Sequence, residues 1–144
     1  MAEPAMSEQA REAFLADLHI GVLAVASGDE RPPLCTPIWY HYAPGGDLTF
    51  YTGGEGEPNR KMRLIRQAGA VTFTVQQEEQ PYRYVSIEGS VREDANPPRE
   101  DYLAIIERYL GAEGAEQFID KFVGPGAVIY HLTPTRWRSV DFSQ

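Results

Sequence analysis

Apolar and polar residues alternate strictly over Val71-Thr72-Phe73-Thr74-Val75, the two-residue period of a strand with one buried face. The same period runs through 82–93, the longest such stretch. There Val85, Ile87, Gly89 and Val91 point one way, and Tyr84, Ser86, Glu88 and Ser90 the other. Gly89 inside this run predicts a bulge or a close backbone approach. Shorter β-rich runs occupy 21–26, 34–42 and 48–52, and Ala43-Pro44-Gly45-Gly46-Asp47 supplies a hairpin turn between the last two. Pro37 is expected to interrupt the ladder of the 34–42 strand. Two closing strands, 127–132 and 135–142, are predicted around a turn at Thr133-Pro134.

Helical spacing appears in four places. Ser7 is a suitable N-cap for a helix to about Leu18, with Phe14, Leu15 and Leu18 on one face. A second helix runs from about Pro58 to Gln67 and stops at Gly69. After Asn96-Pro97-Pro98 a third carries Tyr102, Ile105, Ile106 and Tyr109 at helical intervals to about Leu110, with Gly111 as its cap. A shorter one follows over 113–122. Residues 1–6 read as a flexible tail and 7–144 as one domain. About seven strands with hairpin-length connections imply antiparallel neighbours. The fold class is therefore mainly β: an antiparallel, closed or nearly closed barrel with peripheral helices. A Rossmann sheet is disfavoured, because no glycine-rich fingerprint follows the first strand.

Charge changes this picture at one place. The formal net charge is -8, yet four of the 13 Lys and Arg residues fall within Arg60-Lys61-Met62-Arg63-Leu64-Ile65-Arg66. The cluster opens the second helix, just after the strand end Tyr51-Thr52. Cations at a helix N-terminus oppose its dipole, so a bound anion, most simply a phosphate, would offset their cost. Thr52, the free N–H groups of the first turn, Arg60 and Lys61 are the candidate donors. The competing reading is a solvated face paired with Glu55, Glu57, Glu78 or Glu79. A second candidate is Cys35-Thr36-Pro37-Ile38-Trp39-Tyr40. Here Pro37 would free backbone groups for a planar heterocycle, and Trp39 and Tyr40 offer stacking surface. The alternative is a barrel-edge bulge with aromatic core residues. Trp137, between Arg136 and Arg138, either covers a ligand, contacts a second subunit or packs in the core.

Other classes are disfavoured. The acidic balance argues against nucleic acid and anionic membranes as partners. No apolar run is long enough to span a bilayer, and the N-terminus lacks a signal-peptide pattern. The single Cys35 fits a reducing, cytoplasmic setting and reads as a small buried strand residue. His19, His41 and His131 are scattered, so no metal site is expected.

The order of these elements resembles the pyridoxamine 5′-phosphate oxidase-like, FMN-binding split β-barrel superfamily, including its flavin/deazaflavin oxidoreductase branch. The resemblance is carried by Gly21-Val22-Leu23-Ala24-Val25, Pro33 to Tyr40, Phe50-Tyr51-Thr52, Arg60-Lys61 with Leu64-Ile65, Ala70 to Val75, and Tyr84 to Val91. It implies a split barrel that forms a homodimer with flavin at the interface. By the same resemblance Cys35, Thr36, Pro37 and Ile38 line the ring, and Tyr51, Thr52, Arg60 and Lys61 hold the phosphate. Gln76 or Gln77 would reach the same site, and Trp137 would approach the ring from the other subunit. The expected activity is an FMN-dependent oxidoreductase with hydride transfer at ring N5. The alternatives are a reductase using the deazaflavin coenzyme F-420 and a non-catalytic flavin-binding or sensor module. Pro58-Asn59 stands where the family usually has serine before the basic pair, with Asn59 in place to substitute. Arg136-Trp137-Arg138-Ser139 departs from the carboxyl-terminal pattern of true pyridoxamine-phosphate oxidases and points away from the vitamin substrate.

Overall fold

The computed structural model describes residues 3–28, 31–53 and 58–144. Its elements are α1 (Glu8–Ala16), β1 (Gly21–Val25), β2 (Leu34–Ile38), β3 (His41–Tyr42), β4 (Leu48–Thr52), α2 (Arg60–Ala68), β5 (Ala70–Gln77), β6 (Arg83–Asp94), α3 (Arg99–Phe122) and β7 (Val128–Asp141). The seven strands form one sheet in the order β2-β1-β5-β6-β7-β4-β3, every pair antiparallel. The two outermost strands, β2 and β3, are consecutive in sequence and separated only by Trp39 and Tyr40. The curled sheet is thus joined end to end by two residues, giving the split barrel that the strand pattern implies.

Alternation sets the core. Leu23, Val25, Leu48, Phe50, Phe73, Val75, Val85, Ile87, Tyr130 and Leu132 face inward and are buried, capped by Phe14 and Leu15 of α1 and Met62, Leu64 and Ile65 of α2. Tyr51 and Ile129 point to the other face, where they meet Tyr102, Ile105, Ile106, Ala115 and Ile119 of α3 in a second cluster. At Gly111 α3 is kinked, with φ 77 and ψ 169, so the two helices expected there are present as two arms of one element. The caps work as the sequence suggests. Ser7 accepts from Ala10 N, and Gly69 ends α2 in the left-handed region at φ 71.

Several expectations are corrected. The 34–42 strand is two strands, broken at Trp39-Tyr40 and not at Pro37. Pro37 sits in edge strand β2, where only one side of the strand is paired, so its missing N–H costs little. Trp39-Tyr40 leave the sheet because the chain crosses there from one edge to the other. The expected turn at Thr133-Pro134 is absent: β7 runs unbroken from Val128 to Asp141. Pro134 instead lies at a bulge, where the β6–β7 register shifts between Glu88 and Gly89, and just past the last β4 partner, Leu132. The proline thus falls where regular pairing is already lost. Residues 3–6, expected as part of a flexible tail, are tied down: Asp141 N donates to Pro4 O (2.8 Å), Met6 N donates to Ser139 Oγ (3.0 Å), and Met6 is buried. Cys35 is exposed rather than buried, because it faces outward on the edge strand.

Arg108 of α3 fixes the strand crossing. Its guanidinium donates to the Tyr40 carbonyl and to the carbonyls of Ala16 (3.1 Å) and Asp17 (2.8 Å) at the end of α1, and lies 4.8 Å over the Tyr40 ring. Satisfying helix-terminal carbonyls with a cation is favourable on both hydrogen-bond and dipole grounds. Tyr40, fully buried, donates its hydroxyl to Leu15 O (2.6 Å). The crossing is therefore held from both sides.

Two histidines make the fold sensitive to acid. Burial lowers the pKa of His19, outweighing the opposing pull of Asp17 and the Phe14 carbonyl. Burial, reinforced by Arg108, lowers that of His41. Unfolding lets each imidazole bind a proton at its ordinary pKa of 6.5. Their contribution to stability is thus fully present above that value and is lost as pH falls through the lower folded values. Thermal melts between about pH 7.5 and about 5.5 should show a falling Tm, and a His19→Gln/His41→Gln double variant should flatten that slope. An equal slope in the variant would remove the histidines as its cause.

Candidate functional site

β4 ends at Tyr51-Thr52 and α2 begins at Arg60, and the two ends lie side by side. Asn59, the N-cap of α2, accepts from Met62 N through Oδ1 (2.9 Å) and donates from Nδ2 to Thr52 Oγ1 (3.3 Å). The Asn59 carbonyl also accepts from Arg63 N (3.1 Å). Of the four N–H groups that open α2, those of Arg60 and Lys61 therefore have no partner among the described residues. The buried Thr52 hydroxyl accepts from Asn59 and keeps its own hydrogen to donate.

These groups open into a cavity of about 520 Å³ lined by Ile20, Pro37, Ile38, Trp39, Tyr51, Thr52, Gly53, Asn59, Lys61 and Phe118. One end is polar, with Thr52, Asn59 and Lys61. The rest is apolar and aromatic. Trp39 is stacked on Tyr109 (4.9 Å, 8°) and tilted against Phe118 (5.3 Å). Tyr109 is anchored by donating to His19 O (2.6 Å), which fixes the plane of the Trp39 indole. Tyr51 meets Tyr102 edge-on (5.8 Å), and burial, with Tyr102 second, pushes its pKa up to about 12, so its phenol stays protonated.

The basic cluster divides. Arg66 forms a bidentate pair with Glu93 (2.8 and 3.0 Å), and Arg63 donates to Pro58 O (2.6 Å). Lys61 is half-buried, lines the cavity and has no carboxylate partner among the described residues; burial lowers its pKa. Arg60, one residue earlier on the helix, is not among the cavity residues. Glu78 and Glu79 make no ion pair with the cluster among the described residues, and Glu55 and Glu57 lie outside those residues. Of the glutamates expected to pair with the cluster, neither Glu78 nor Glu79 does so; Arg66 is paired instead with Glu93, and Lys61 has no ion pair among the described residues.

The expected ring-lining residues also divide. Pro37 and Ile38 line the cavity; Cys35 and Thr36 do not. Trp39 is a wall, but Tyr40 is core. Trp137 packs away from the cavity, edge-on to Tyr42 (6.3 Å) and beneath the Arg11 guanidinium (4.6 Å). Gln76 lies in a second cavity of about 620 Å³ with His19, Ile20, Val22, Pro37, Thr74 and Glu78. The two cavities share Ile20 and Pro37, so they adjoin along one wall. Gln77 instead bonds Pro81 O (2.8 Å) and Arg83. Sequence reasoning missed Ile20, Phe118 and Tyr109. Phe118 had a signal in the apolar spacing of the 113–122 helix, but nothing in the pattern says that it meets Trp39.

A phosphate with a planar ring fits this donor set: one ammonium and two amides without a partner among the described residues, and one hydroxyl, at one end, and flat apolar walls beyond. No helix among the described residues is long and apolar enough to cross a membrane.

No protein-family model matches the chain, and no curated protein matches it. Solved structures do. An F-420 reductase aligns at a TM-score of 0.66 and 25% identity, over 88% of this chain and 94% of that one. A FAD-binding protein from Mesorhizobium loti aligns at 0.68 and 16% identity, over 96% and 97%. A protein from Listeria innocua assigned as a pyridoxamine 5′-phosphate oxidase aligns at 0.65 and 20% identity, over 92% and 96%.

Proposed function

From the premise that this chain has the split-barrel fold of the pyridoxamine 5′-phosphate oxidase-like, flavin- and deazaflavin-binding superfamily, we propose that it is an FMN-dependent oxidoreductase. The observation that carries the reading is Lys61: a half-buried ammonium with no described partner, in one cavity with Thr52 and Asn59. An unpaired charge in such a place is costly unless a ligand compensates it.

Lys61 supplies the charge for a phosphate, and Thr52 donates its hydroxyl. The amides of Arg60 and Lys61 complete the cradle at the positive end of α2. Arg60, outside the cavity, adds long-range attraction. Pro37, Ile38, Ile20, Trp39 and Tyr51 form flat walls that exclude water from a ring. A flavin bound there would supply hydride chemistry, and the chain would supply position and electrostatics. Ile20, 49% exposed in the cavity wall, and the exposed Leu18 two residues before it are the apolar side chains across which a second copy would close the site as a homodimer.

A second reading, coenzyme F-420 in place of FMN, draws support from the likeness to an F-420 reductase. Titration of the purified chain with FMN and with F-420, followed by fluorescence, separates the two. Saturable binding of one is expected. Binding of neither would reject the proposal, and light scattering tests the dimer.

A further inference from the structure

The second cavity differs chemically from the first. Its walls are apolar at Ile20, Val22 and Pro37, and no lysine or arginine lines it. Its polar groups are only partly paired. The Thr74 and Ser86 hydroxyls bond each other (3.0 Å). Burial keeps His19 neutral near pH 7, and its ring lies 4.4 Å from Phe14. Gln76 Oε1 accepts from Tyr82 Oη (3.0 Å), which leaves the Gln76 amide NH₂ without a described partner. Glu78 is exposed and makes no ion pair among the described residues. The cavity therefore offers apolar surface, one negative charge, the Gln76 amide and the buried His19 Nε2, which has no hydrogen-bond partner among the described residues.

We propose that this second cavity is a binding chamber for an uncharged, carbonyl-bearing apolar molecule, with Gln76 donating to the carbonyl and Glu78 turning anions away. Resting on the cofactor reading above, this chamber is the substrate side of the site, reached across the shared wall of Ile20 and Pro37. The division of charge is the argument. Lys61 in the first cavity attracts an anion, and Glu78 repels one in the second, so a phosphorylated cofactor and its substrate are sorted to different cavities. Rejection by a like charge is an effective source of such selectivity.

Two probes of equal shape test it, naphthamide (neutral) and naphthoate (anionic), by equilibrium dialysis against the purified full chain. Naphthamide should bind at least about tenfold more tightly than naphthoate. Gln76→Leu should weaken naphthamide by about threefold to tenfold, the worth of one hydrogen bond. Glu78→Lys should narrow or reverse the preference. Both side chains are exposed, so neither change threatens the fold. Equal binding of the two probes by the unmodified chain, no binding of either, or loss of FMN rather than naphthamide in Gln76→Leu would overturn the proposal. If FMN fails to bind while the probes behave as stated, the cofactor reading falls and the chamber stands.

Discussion

Replacing Lys61 by alanine is expected to weaken the binding of FMN, or of F-420 if that is the partner, by more than an order of magnitude. A charge-assisted hydrogen bond is worth about 1.5–3 kcal/mol net, a factor of roughly 10 to 150 in affinity. Lys61 is the cation in the cavity, and no described carboxylate competes for it. Arg66→Ala serves as the control. It removes an equal charge from the same helix, but that charge is already engaged by Glu93, so cofactor affinity should change little. Fluorescence titration reads both. Unaltered affinity in Lys61→Ala would remove the phosphate site from this cavity. Stability should move the other way or not at all, since the substitution takes an ammonium with no described partner out of a half-buried place.

Gly89→Ala is expected to be among the most destabilising single substitutions in the chain, at about 3 kcal/mol or more. A Cβ at this position would lie 2.0 Å from Thr133 O, 2.8 Å from its carbonyl carbon and 3.0 Å from Leu132 Cδ1. The obstacle is backbone. At this point β7 is held by β6, and Leu132 is paired with β4 on the other side, so the strand cannot retreat without opening the bulge. Ser90→Ala, one residue on and exposed, should stay within about 0.5 kcal/mol of the parent. Urea unfolding measures both. A midpoint for Gly89→Ala equal to that of the parent would mean that the close approach is not rigid.

The same bulge shows where sequence and structure part. Period-two alternation placed β5 and β6 within about two residues of their bounds, and it set the inward face of β6 correctly, because burial on one side of a sheet enforces that period. Gly89 was legible as a bulge or close approach, since a glycine in a strand has few other uses. Pro134 was misread as a turn because a proline after threonine looks the same at a reversal and at a bulge. Only the partner strand decides, and Gly89 is 45 residues away from Pro134 along the chain. For the site, Thr52 and Lys61 could be read from a strand end and a helix start, which are local, and Pro37 from its place within a strand, whereas Ile38 and Asn59 came with the family resemblance. Phe118 and Ile20 could not be read, because they depend on how α3 and α1 lie against the barrel; for Trp137 three places were open, and packing against the core is the one found within the chain. The separation of Arg60 from Lys61 is also tertiary: neighbours on a helix are about 100° apart, and either could have faced inward.

The Trp39-Tyr40 link has a thermodynamic consequence. One of its residues walls the cavity and the other is locked into the core, yet both belong to the only two residues that join the outermost strands. A molecule wedged against Trp39 thus braces the barrel's own closure, and unfolding must first expel it. Occupancy and melting temperature are coupled through this dipeptide, so the loaded protein is the more durable form in proportion to the logarithm of free ligand.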